Sequence, residues 1–174
     1  MINYTHEIYR KIVHSCTLAM PISWIWFDQR VTLAWVGPLT LIVVMTDIAR
    51  RYAPKLNQMV CGALGPIMRS HEQDNVTWHL VGASYTLLAA SACLLFFPKL
   101  IGVTAFSVWV TGDMAAALIG RKCGKRRFID REKTVEGTLA FMAAGTVTAC
   151  LIGLTASDYM HVSWEFYIAA VIAV

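Results

Sequence analysis

The run LIGVTAFSVWVTGDMAAALIG, residues 100–120, carries one charge, Asp113, in 21 positions. As an α-helix at about 1.5 Å per residue it is about 31 Å long, the thickness of a bilayer's hydrocarbon core. A strand seldom exceeds about 10 residues, so the run is a helical span and not a buried strand. Outward from it lie further long apolar runs at 12–27, 31–46, 78–97 and 137–157, and a last one from 162 that is still apolar at Val174. The chain of 174 residues is 57% apolar and 15% charged. Water-soluble domains average nearer about 45–50% and about 25%, which excludes a water-facing globule and a disordered chain. The expectation is one all-α, membrane-embedded domain over 1–174, a polytopic integral membrane protein of about six transmembrane helices. The last helix reads as incomplete, and a homodimer that completes the bundle is the corresponding expectation. Residues 52–68, with Pro54, Gly62, Gly65 and Pro66, read as a broken interfacial segment.

The formal net charge is only +4, but the cations are unevenly placed. With the N-terminus cytoplasmic, the segments 1–11, 50–77 and 121–136 hold 13 of the 15 Lys and Arg residues, leaving Arg30 and Lys99 outside. That asymmetry predicts an N-terminus and a functional face in the cytoplasm. Polar residues precede the first apolar run and no small-residue cleavage site follows a short core, so it reads as a span and not as a cleaved signal peptide.

A carboxylate inside a span costs about 2.5–3.5 kcal/mol on insertion scales, so Asp113 requires a partner, a cation or water. It lies eight residues, about 12 Å, below Arg121, at the depth of a lipid hydroxyl. Asp113, Ala116, Ala117 and Gly120 share one helix face at spacings that let another chain approach closely. Next, residues 121–133 hold seven basic residues, with Gly120 and Gly124 interleaved. Such a loop can serve as an anchor on anionic headgroups, but glycine among cations also suits a triphosphate. The spacing is GxxxGK without a following Ser or Thr, so a P-loop ATPase is rejected. Lys133, Glu136, Gly137 and Ala140 then share the first turns of the next helix, which Thr134 is placed to cap. Asp113 and Glu136 are candidate Mg2+ ligands, while Gly120, Arg121, Gly124, Lys125, Lys133, Thr134 and Gly137 are candidate triphosphate contacts. An internal Lys133–Glu136 ion pair is the structural alternative.

Thr111-Gly112-Asp113 through Gly120-Arg121-Lys122-Cys123-Gly124-Lys125, followed by Glu132-Lys133-Thr134-Val135-Glu136-Gly137-Thr138, resembles the signature of the polyprenol kinase family, which includes dolichol kinase, phytol kinase and CTP-dependent diacylglycerol kinase. Glu7-Ile8-Tyr9-Arg10-Lys11-Ile12-Val13-His14 is similar to its N-terminal pattern. Arg69-Ser70-His71-Glu72 with Leu80-Val81-Gly82-Ala83-Ser84-Tyr85 is similar to its middle motif, and Asp47-Ile48-Ala49-Arg50 to the end of its second span. The resemblance implies phosphoryl transfer from CTP, or another nucleoside triphosphate, to the hydroxyl of a membrane lipid alcohol such as a polyprenol, phytol or diacylglycerol. Asp113, Lys133 and Glu136 are then the expected catalytic residues. The GRxxGK and KTxEG pieces also look like phosphatidate cytidylyltransferase, although its C-terminal signature is absent from this sequence.

Other residues admit a structural reading beside the functional one. Arg10, Lys11 and His14 stand at the start of the first span, where anchoring explains the cations but not the histidine. His71 and Glu72 suit a polar loop or a lid. Asp47 and Arg50, three apart, can simply pair at a membrane rim. The five cysteines lack a CxxC pair and read as buried hydrophobes, and the histidines lack zinc spacing. No nucleic-acid partner is expected; membrane lipids are. A small transporter using Asp113 as an ion or proton site is the non-enzyme alternative, but related halves are not evident.

Overall fold

The structure is a computed structural model that describes residues 4–65, 68, 80–127, 133–156 and 162–174. Among these it consists of α1 (Tyr4–Ser15), a 3-10 turn (Cys16–Leu18), α2 (Ala19–Trp26), α3 (Gln29–Tyr52), α4 (Pro54–Leu64), α5 (Gly82–Phe96), α6 (Lys99–Cys123), α7 (Val135–Ala156) and α8 (Trp164–Ala173). The all-α class agrees with the sequence pattern. Of the about six spans expected, three are shown among the described residues: α3, α6 and α7 are long and apolar enough to cross a membrane, while α5 and α8 are apolar but shorter.

Proline sets several boundaries. Pro21 has no N–H for the carbonyl of Thr17, so the expected span 12–27 does not run as one α-helix and passes through the 3-10 turn between α1 and α2. Ala53 and Phe97 precede prolines and are extended, which ends α3 and α5. Pro54 then opens α4 at a position where its missing N–H costs nothing. The helix continues through Gly62 to Leu64, so the stretch expected to be broken is one short helix.

The helices run back and forth between two ends. At one end Lys99 donates to the carbonyls of Ile25 and Phe27 (3.2 and 3.3 Å), closing α2 where its own ladder stops. Below lies the core, with Trp24, Val36, Leu94, Val103, Phe106 and Val110 at its centre. The most extensive packing is between α6 and α7. A Cβ at Gly120 would stand 3.3 Å from the Cα of Gly137, and one at Gly112 would stand 2.7 Å from the Phe141 ring, so glycine sets how closely these helices cross. Thr111 and Thr148 hydroxyls meet at 2.9 Å along the same seam. Outside the core, at most 39% of the most apolar stretch of α3, α6 or α7 is buried. Such a surface is matched to lipid and not to water.

At the other end, α3 is tied to α5 by a buried carboxylate. Asp47 accepts from Arg50 Nε (2.6 Å), from the Val81 backbone N–H (2.7 Å) and from the Ser84 hydroxyl (3.0 Å). Val81 is the N-cap of α5 and offers no side-chain acceptor, so α3 supplies the cap, with its negative charge at the positive end of the helix dipole. Asp47→Asn is expected to cost about 3–5 kcal/mol, because Arg50, 2% exposed, loses this carboxylate partner. Denaturant unfolding in mild detergent measures it; a loss under about 1 kcal/mol contradicts the structural role.

Candidate active site

A cavity of about 1040 Å³ opens between α1–α2, α3, α5, α6 and the start of α7. Its polar wall holds Arg10, Lys11, His14, Asp113, Arg121 and Lys133. The centre of that wall is an ion pair between Lys11 on α1 and Asp113 on α6. The Lys11 side chain is 7% exposed and that of Asp113 is 42% exposed, so the carboxylate faces the cavity while the lysine stem is packed. His14, one turn further along α1, places Nε2 3.6 Å from Asp113 Oδ2. Its ring meets Trp109 edge to face, with centroids 5.2 Å apart at 88°. Trp109 is one turn before Asp113 on α6, so tryptophan, histidine and carboxylate form one stack.

Ala116 and Ala117 continue the α6 wall towards Gly120 and Arg121. Here the small-residue face serves two purposes. Its alanines border the cavity, whereas Gly120 is covered by Gly137 and by Thr134, whose hydroxyl would lie 2.9 Å from an added Cβ. Thr134 accepts from the Gly137 N–H (3.2 Å) and so caps α7.

The cationic loop leaves α6 at Gly124 and returns in an isolated antiparallel bridge between Arg127 and Thr134. A Cβ at Gly124 would lie 2.1 Å from the Gly120 carbonyl and 2.6 Å from Thr134 Cγ2, so only glycine allows this return. Glu136 turns to the same loop: both carboxylate oxygens accept from the Arg126 N–H, at 3.2 and 3.3 Å.

The expected site residues therefore separate. Asp113, Gly120, Arg121, Lys133, Thr134 and Gly137 border one cavity, and Arg10, Lys11 and His14 join them. Gly124, Lys125 and Glu136 are not among the residues bordering it. Glu136 accepts from the loop backbone and does not border the cavity that Asp113 lines, so the structure does not bring the two expected Mg2+ ligands together. Asp47 and Arg50 pair with each other, as their spacing suggested, Asp47 also holds the start of α5 and Arg50 donates to Asn57 on α4; neither borders the cavity. His71 and Glu72 lie outside the described residues. Trp109, Tyr85, Thr138 and Phe141 border the cavity but carried no expectation as site residues. Trp109 had a usable signal, since extending the Asp113 face back by one turn reaches it.

Among the described residues no group of three or more His, Cys, Asp or Glu is placed to hold a metal ion. The donor set at the cavity is one carboxylate beside several cations. That set does not make an all-protein cage, but it fits Mg2+ in the form in which the ion accompanies a triphosphate, with phosphate oxygens completing its shell.

The chain is 24% identical, over 95% of its length and 78% of the relative's, to an uncharacterized protein of Rickettsia prowazekii (strain Madrid E). It is 29% identical to CTP-dependent diacylglycerol kinase 1 of Saccharomyces cerevisiae, over 82% of this chain and 49% of the kinase. The chain thus spans about half the length of that kinase. No family model matches, and no solved structure matches.

The cap ties this wall together. Thr134→Val is expected to lower stability by about 1 kcal/mol through loss of the α7 cap, while Thr134→Ser, which keeps the acceptor, is expected to lie within a few tenths of the parent. Thermal unfolding in detergent distinguishes the two; a Thr134→Val variant as stable as the parent would remove the hydroxyl from the cap.

Proposed function

We propose that this protein is a CTP-dependent lipid kinase that transfers the γ-phosphoryl group of CTP, or of another nucleoside triphosphate, to the hydroxyl of a membrane lipid alcohol at the cytoplasmic face. The observation that carries the reading is the Lys11–Asp113 pair at the head of a cavity whose other residues are largely apolar. One carboxylate among cations suits a reaction between an anionic donor and a neutral acceptor. The choice of CTP and of a diacylglycerol-like or prenol-like alcohol is supported by the family resemblance and by the yeast relative.

Phosphoryl transfer depends mainly on positioning and on neutralising charge along an in-line displacement. The alcohol oxygen forms a bond to the γ-phosphorus, the bond from that phosphorus to the β-γ bridging oxygen breaks, and CDP leaves. Asp113 accepts the proton that the alcohol loses. Lys11, Arg10, Arg121 and Lys133 face the donor's phosphates, and the His14–Trp109 stack holds the carboxylate's side of the wall in place. Asp113 would hold the Mg2+ that accompanies the triphosphate, and the ion would supply further neutralisation of phosphate charge. A cavity of about 1040 Å³ is at the upper limit of the usual range for a single small ligand, about 300–1,000 Å³, which favours two substrates side by side.

The test is purified protein in detergent with labelled CTP or ATP, Mg2+ and a panel of polyprenols, phytol and diacylglycerol. The expected product is a labelled lipid monophosphate. A CDP-lipid formed from phosphatidate with release of pyrophosphate would replace this reading with a cytidylyltransferase, and neither product would refute the enzyme. Asp113→Asn is expected to lower kcat by about 10²–10⁴-fold with the fold intact. Retained activity would remove Asp113 from the chemistry. For orientation, single cysteines at 30 and 127 in a cysteine-free background are expected to label from outside and from the cytoplasm, respectively, with an impermeant thiol reagent; the reverse pattern overturns the cytoplasmic assignment.

A further inference from the structure

Below the ion pair the cavity changes character. Met20 lies on α2, beyond the 3-10 turn that follows the helix of His14. Met20 on α2, Val36 on α3 and Ala90 on α5 are 3%, 0% and 1% exposed and still border the cavity, so they form its closed apolar floor. The side is different. α1 packs along α6 and, among the described residues, makes no comparable contact with α3 or α5. Val13, Leu39 and Tyr85, from these three helices, border the cavity yet are 48%, 41% and 52% exposed. The cavity therefore has a polar head, an exposed apolar flank and a floor closed at a fixed depth.

We propose that the gap between α1 and the α3–α5 pair is a lateral portal for the lipid alcohol, and that Met20, Val36 and Ala90 form a floor that selects its hydrocarbon chain by length. The proposal rests on the lipid-kinase reading above and adds the residues that set acceptor specificity. An alcohol whose hydroxyl reaches Asp113 directs its chain either down to the floor or out through the flank. Chains that fit above the floor lie along their whole length against apolar side chains of the cavity. A longer chain must bend out past Tyr85 and Leu39 and gains nothing further inside. Ala90 is the sensitive position, because it borders the cavity and is 1% exposed, so a larger side chain there takes up space at the floor.

Two measurements test this on the full chain in mixed micelles. First, kcat/KM is measured for a series of prenols of increasing length with CTP fixed, in the parent, Ala90→Leu and Met20→Ala. Ala90→Leu is expected to lose about tenfold or more on the longest chain that the parent favours, relative to the shortest, without a change in the KM for CTP. Met20→Ala, which only removes floor atoms, is expected to move the preference towards longer chains. Second, a prenol with a photoreactive group at the chain end is expected to label α2, α3 or α5 at the floor in the unmodified protein. Length profiles unchanged in the folded variants, or photolabelling confined to exposed positions, overturn the floor while leaving the lipid kinase standing. Absence of phosphorylation of every alcohol by the parent removes the kinase reading, and this proposal with it.

Discussion

Everything at the candidate site depends on how a charged carboxylate is kept inside an apolar bundle. Asp113 sits on a helix long enough to cross a membrane, where a lone carboxylate is costly to insert. Lys11 compensates it from a different helix, and the pair carries no net charge. The compensation has a geometric result. It holds α1 against α6, while the bulk of α3 and α5 is packed elsewhere, and the space left between them is the cavity. A pairing partner on α6 itself would have satisfied the charge without creating that space.

The glycine contacts act on the opposite wall. Close crossing of α6 and α7 at Gly120 and Gly137 brings Lys133 and Thr134 beside Arg121, so cations from both sides of the loop border the same opening. The carboxylates near these cations have separate tasks. Asp113 faces the cavity, Glu136 holds the loop backbone and Asp47 holds the start of α5. Of these three, only Asp113 borders the cavity.

The part of this that was legible in the sequence is the part governed by local periodicity and composition. Apolar runs identified the helices, and the spacing from Asp113 to Gly120 identified a common face. The i, i+3 spacing of Asp47 and Arg50 was enough to suggest their pair, but not that Val81 and Ser84, more than thirty residues later, share the same carboxylate. Glu136 shows a similar limit. Its spacing suggested a helix turn shared with Lys133, but the helix begins at Val135 and the partner of Glu136 is the Arg126 backbone, brought there by a loop return that periodicity does not encode. The break within 12–27 was not legible either, because hydropathy does not register how Pro21 interrupts the hydrogen-bond ladder or where a pre-proline residue ends a helix.

The sequence separation of the ion pair has a consequence for biosynthesis. Lys11 and Asp113 are 102 residues apart. At about 5–20 residues per second, the ribosome needs about 5–20 s to make Asp113 after Lys11 has been made. During that interval α1 lacks the carboxylate that later secures it, and its lysine can keep the ammonium at the headgroup level by extending its stem along the apolar surface. Asp47 and Arg50, three residues apart, can pair as soon as their helix forms. The bundle thus has an order of assembly written into its ion pairs: the local one is available early, and the one that closes the candidate site waits for α6.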